Sequence, residues 1–140
     1  MQYFQNFNSL LPLQIGVTEP RRVAVTTLAS RVAEEQNTPV GRRVGYSIRF
    51  DECFIRNQTK IKYMTEGILI REMMADPLLN NYSVIMLDEA HERTAQTDII
   101  MGLLKKVLRK RRDLRLIVSS ATVRNSADDK IFYISIFVNF

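Results

Sequence analysis

The chain is poor in cysteine, histidine and glycine, and it has no long apolar run. A single cysteine, Cys53, excludes a disulfide framework and a cysteine-based zinc site. It also suits a reducing compartment, so nucleus or cytoplasm is the expected location. One histidine, His91, cannot by itself make a metal site. No apolar run approaches the roughly 20 residues needed to cross a bilayer, so no membrane association is expected. The opening Met1-Gln2-Tyr3-Phe4 lacks the charged region and apolar core of a secretion signal. The glycines stand at 16, 41, 45, 67 and 102, and none precedes a lysine. A Gly-x-x-x-x-Gly-Lys-Ser/Thr phosphate cradle is therefore absent from these residues.

What is present is an ordinary globular composition. With 140 residues, 46% of them hydrophobic and 25% charged, the chain suffices for one domain with a real core. Twenty basic against 15 acidic residues give a net charge of +5, a modest pull toward a polyanionic partner. Strand-like and helix-like segments alternate. Leu13–Thr18, Val44–Phe50, Lys60–Met64, Tyr82–Leu87 and Leu114–Ser119 read as strands. Between them, Val25, Leu28, Ala29, Val32 and Ala33 follow helical spacing, with Pro20 fitting the first turn. Thr65 can cap a second helix carrying Ile68, Leu69, Met73 and Met74, stopped by Asp76-Pro77. A third carries Ile99, Ile100, Leu103, Leu104, Val107 and Leu108. This alternation predicts an α/β fold with a mostly parallel sheet flanked by helices. The ends differ: residues 1–13 show no period, and residues 123–140 run from a polar stretch into the apolar Ile131–Val138. That last run is either a docked strand or an aggregation hazard.

Chemistry concentrates at strand ends. Asp88-Glu89-Ala90-His91 follows Val84-Ile85-Met86-Leu87, delivering two adjacent carboxylates where an α/β sheet presents groups to a ligand. An Asp there can hold Mg²⁺ largely through its water shell, and the Glu can orient or deprotonate a water. The plainer alternative is a solvated acidic pair opening a helix. Ser119-Ser120-Ala121-Thr122 places small hydroxyls after a second apolar strand, where a simple helix cap is the rival reading. Arg21 and Arg22, after Thr18-Glu19-Pro20, put two guanidinium forks at a helix start. Thr65-Glu66-Gly67 offers a hydroxyl and a bare backbone to a sugar-phosphate chain. Lys105-Lys106 and Arg109-Lys110-Arg111-Arg112 form the densest basic run, which reads first as a solvated face near a helix C-terminus.

In order, Thr-Glu-Pro-Arg-Arg, Gly45-Tyr46-Ser47-Ile48-Arg49-Phe50, Thr-Glu-Gly, Asp-Glu-Ala-His and Ser-Ala-Thr resemble the DEAH-box branch of ATP-dependent RNA helicases. The resemblance runs over residues 14–122 and implies a partial first RecA-like domain of the P-loop NTPase class. It implies ATP and Mg²⁺ as cofactors, with Asp88 and Glu89 serving the metal and the hydrolytic water. His91, counted with the catalytic group, would join Ser120 and Thr122 in coupling nucleotide state to domain movement. Arg21, Arg22, Thr65 and Gly67 would lie along the RNA backbone, and spliceosomal or other ribonucleoprotein components would be partners.

The departures matter as much. The family's P-loop and second motor domain have no counterpart here, Glu19 stands where Gln is usual, and Glu66 where Asp is usual. The chain reads as an internal piece of such a helicase, inactive by itself. The competing expectations are a non-catalytic RNA- or partner-binding fragment and a nonfunctional truncation product.

Overall fold

A computed structural model describes residues 13–123 and 130–137. Seven strands form one sheet: β1 (Gln14–Glu19), β2 (Val44–Ile48), β3 (Asp51–Cys53), β4 (Ile61–Thr65), β5 (Tyr82–Leu87), β6 (Arg115–Val123) and β7 (Lys130–Phe137). Their spatial order is β3-β2-β4-β1-β5-β6-β7. The five inner strands run parallel, and β3 and β7 pair antiparallel at the two edges. The α/β expectation is met. β1, β4 and β5 are buried almost along their whole length, the pattern of strands covered on both faces.

Three helices supply that cover. On one face lies α1 (Arg22–Glu35), whose buried Val25, Ala29, Val32 and Ala33 recur at helical spacing. They pack on Ile15, Val17, Val44, Ile61, Tyr63 and Val84. On the other face lie α2 (Glu66–Ala75) and α3 (Ala95–Lys110), whose Ile68, Leu69, Ile100 and Leu104 pack on Met64, Ile85 and Leu87. Thr94 caps α3 by accepting from the Thr97 amide at 3.0 Å, satisfying one of the four unpaired donors at a helix start. α2 ends at Ala75, because Pro77 disfavours helical geometry in Asp76, which becomes the non-helical cap.

Several details depart from the sequence reading. α1 starts at Arg22, with Arg21 at the cap, so Pro20 lies just outside the helix. Thr65 occupies the cap position of α2, yet its side chain makes no capping hydrogen bond. The stretch Val44–Phe50 is not one strand: it turns at Arg49-Phe50, Phe50 adopts φ 68°, and β3 returns alongside β2. Gly45 makes that return possible, since a Cβ there would run into the Cys53 carbonyl and the Phe54 Cβ. Of the apolar run near the end, Ile131–Phe137 lies in β7, docked on β6 from Leu116 opposite Phe137 to Val123 opposite Lys130. Residues 1–12, 124–129 and 138–140 lie outside the described residues. No described helix is long and apolar enough to cross a membrane.

Candidate functional site

The parallel register brings the motifs to one edge. Glu19 of β1 stands opposite Thr65 of β4, and Thr18 stands opposite Leu87 of β5, which puts Asp88 beside Glu19. Leu87 in turn pairs with Val118 of β6, so Ser119 and Ser120 follow along the same edge. Thr65, Glu19, Asp88 and Ser119 thus form a row across four adjacent strands, at the C-terminal ends of β4, β1 and β5. This is the edge at which parallel α/β sheets present ligand-binding groups. β6, expected to stop at Ser119, instead runs on to Val123 because β7 pairs with it, so Ser119–Thr122 lie within a strand and not in an exit loop or helix cap.

Asp88 is held from two sides. Its backbone N–H donates to the Thr18 carbonyl at 3.1 Å, and its Oδ1 accepts the Glu89 amide at 2.8 Å. Glu89 takes a left-handed conformation, φ 53° and ψ 31°, at the start of a 3₁₀ turn over Ala90–Glu92. That sharp exit directs the chain away from the sheet and sets the Glu89 carboxylate 3.2 Å from His91 Nε2. A left-handed non-glycine residue costs free energy and persists where its surroundings fix it. The turn packs beside β6, so Asp88–His91 and the first residues of Ser119–Thr122 are neighbours. Ser120 is half-buried and Thr122 lies farther along β6, opposite Ile131 in register.

The remaining sequence candidates sit on the same side. Arg21 reaches across to Glu92 at 3.0 Å, linking the helix start after β1 to the turn after β5. Arg22 donates to the Arg49 carbonyl at 3.0 Å and steadies the β2–β3 hairpin tip. Gly67 lies in the first turn of α2, and a Cβ there would meet only the Gln96 side chain, at 3.6 Å. Packing inside the chain does not require glycine at this place.

Two features were not anticipated from sequence. Glu19 is only 3% exposed and lies beside Asp88. Burial first, and then the Asp88, Glu89 and Glu92 carboxylates, push its pKa up to about 8, so it holds its proton at neutral pH. The second is Glu66, buried at the start of α2, which accepts from the hydroxyls of Thr94 and Thr97 and so ties α2 to α3. A Thr-x-x-Thr pair beyond a polar exit loop was the available signal for the second. Nothing but register could have revealed the first.

Among the described residues, no three His, Cys, Asp or Glu side chains gather to cage a metal by themselves. The Asp88–Glu89 pair instead fits a Mg²⁺ held by one carboxylate, with waters and phosphate oxygens filling the other positions. A cavity of about 380 Å³ lies at the opposite end of the sheet. Within it Lys62 Nζ meets Glu72 at 2.6 Å and Phe54 at 4.0 Å, a stabilising cluster far from the motif row.

No family model matches the chain. It is 64% identical over 109 residues to the probable ATP-dependent RNA helicase DHX35 of Homo sapiens, a match covering 78% of this chain and 16% of that protein. The Pongo abelii protein of the same name is likewise 64% identical over 109 residues, covering 78% of this chain and 15% of its own length. The DHX35 homologue of Caenorhabditis elegans is 59% identical over 110 residues, 79% of this chain and 15% of the relative. The chain therefore spans about one sixth of the length of the curated relatives it matches.

Proposed function

We propose that the chain is part of a DEAH-box RNA helicase and that its motif row is the ATP- and RNA-facing edge of the first RecA-like domain of such a motor. The domain proper would be residues 14–122, with 1–13 an extension and 123–140 a divergent tail. Asp88 would hold Mg²⁺ largely through water, and Glu89 would orient the water that attacks the terminal phosphate of ATP. The metal, when bound, supplies charge neutralisation of the phosphates. The observation that carries this reading is the juxtaposition of Asp88–His91, at the end of β5, with the start of Ser119–Thr122 on the neighbouring strand β6. His91, Ser120 and Thr122 would pass the nucleotide state on to domain movement. The helicase would work in the nucleus or cytoplasm, on RNA in spliceosomal or other ribonucleoprotein particles.

Arg21, Arg22, Thr65 and Gly67 would track the RNA backbone. Their support is the exposure of both arginines, together with Thr65 and Gly67 standing half-exposed at the end of β4 and the start of α2. Since these 140 residues contain no Gly-Lys cradle, the chain by itself would bind RNA without turning over ATP. A single domain makes few phosphate contacts, so binding should be salt-sensitive and sequence-independent, about 10⁻⁴ to 10⁻⁶ M at physiological salt. Fluorescence anisotropy with a short single-stranded RNA tests this. Arg21→Ala/Arg22→Ala should weaken binding more than Lys105→Ala/Lys106→Ala, although both remove two charges. Equal losses would reduce the effect to bulk charge, and a larger loss from the lysine pair would overturn the assignment.

A further inference from the structure

The basic run on α3 has no role in the motif row, and the structure places it somewhere specific. α2 and α3 both start at the C-terminal edge of the sheet, beside the motifs, and run back toward the opposite edge. Between their far halves lies an open groove of about 270 Å³. Its walls are carbon: Met73 and Met74 from α2, Leu103 and Val107 from α3. Met74 is 80% exposed, a large apolar side chain left in water. Lys106 and Lys110 stand at the rim.

Exposed basic side chains outnumber acids around the rim, and the nearby acids are turned to other partners. Glu66 is buried on Thr94 and Thr97, and Glu72 holds Lys62 and the Tyr82 hydroxyl. Asp76 caps the amides of Leu78 and Asn80, and Asp98 lies at the other end of α3, 3.8 Å from Arg93. Exposed Lys105, Lys106, Arg109 and Lys110 thus crowd the second half of α3.

We propose that this α2–α3 groove docks an acidic amphipathic helical segment of a partner protein. One or two of its large apolar side chains would fill the groove while its carboxylates meet Lys106 and Lys110. Methionine-walled grooves adapt to aliphatic anchors, and an amphipathic helix is the form that offers anchors and charges at one spacing. RNA suits the groove less well, because no aromatic ring lines it for a base to stack on.

The probe is a labelled helical peptide with Leu at i, i+3, i+4 and i+7 and Glu at flanking positions. A matched peptide with Lys in place of Glu, and a single-stranded RNA, complete the set. Anisotropy and amide chemical-shift mapping on the full chain are the readouts. The acidic peptide should bind, with shifts clustered at residues 73–78 and 103–110. Lys106→Glu/Lys110→Glu should weaken it about tenfold and gain affinity for the basic peptide. Both positions are exposed, so the fold should be unaffected, and circular dichroism of the variant checks this. No binding by the acidic peptide, equal binding of both peptides to the unaltered chain, or shifts elsewhere would overturn the proposal. So would RNA shifting the same amides and displacing the peptide, which would make the groove a nucleic-acid surface.

Discussion

Replacing Glu19 by glutamine should stabilise the protein, and by an amount that grows with pH. Glu19 is buried beside Asp88, and its pKa rises from 4.5 to about 8 on folding. An unfolded chain loses that proton near pH 4.5, whereas the folded chain keeps it until about pH 8. The folded state therefore binds more protons across this window, and stability falls as pH rises through it. Each pH unit is worth about 1.4 kcal/mol, so three to four units set a ceiling of about 5 kcal/mol, reached above pH 8. Relaxation around the charge lowers this, and about 2–4 kcal/mol at pH 9 is expected. Against a typical folding free energy of about 5–15 kcal/mol, that is a large share. The glutamine side chain carries no titrating proton, and its amide can donate to Asp88 at every pH. Urea unfolding of both proteins in metal-free buffer from pH 4.5 to 9 gives the difference directly. Little difference at pH 4.5 and a steady increase toward pH 9 is the expected result. A flat difference, or one that grows toward acid, would refute the buried protonated carboxyl.

Purified chain should hydrolyse ATP no faster than background; steady-state turnover abolished by Glu89→Gln would show that a phosphate cradle is not needed. Leu104→Ala, at a fully buried position between α3 and the sheet, should cost about 2–5 kcal/mol in urea titration without moving the motif row. Lys62→Met alone should cost on the order of 2 kcal/mol, because Glu72 keeps only the Tyr82 hydroxyl as a partner, and the double change Lys62→Met/Glu72→Gln, which preserves an acceptor for that hydroxyl, should recover much of the loss. A double variant no better than the single would mean that the pair contributes net stability.

The inner strands were legible because burial on both faces leaves a plain apolar signature. Tyr82–Leu87 coincides with β5, and Ile15–Val17 and Ile61–Met64 lie inside the strands expected of them. The helices were legible from spacing, with boundaries off by a residue or two where caps rather than apolar periodicity decide. β3 was missed because three residues, two of them Asp51 and Glu52, have no periodicity to read. They form a strand because Gly45 lets the hairpin close. In the site, Asp88, Glu89 and the Ser119–Thr122 segment stood out because polar groups follow apolar runs. Glu19 did not, because what distinguishes it is a neighbour 69 residues away, and only strand register supplies that neighbour. Likewise Arg21 shows its link to Glu92 only once β1 and β5 are side by side.

On the proposed reading Asp88 and Glu89 make the metal-facing point of this edge, and paramagnetic NMR tests that on the chain as it is. Mn²⁺ stands in for Mg²⁺ and broadens the amide signals of residues close to it. Substoichiometric Mn²⁺ should broaden Asp88 and Glu89 first, then Glu19 and Ser119, and Asp88→Asn should abolish the effect. Broadening centred on Glu72 and Asp76 at the opposite end of the sheet, or unchanged by Asp88→Asn, would contradict the account.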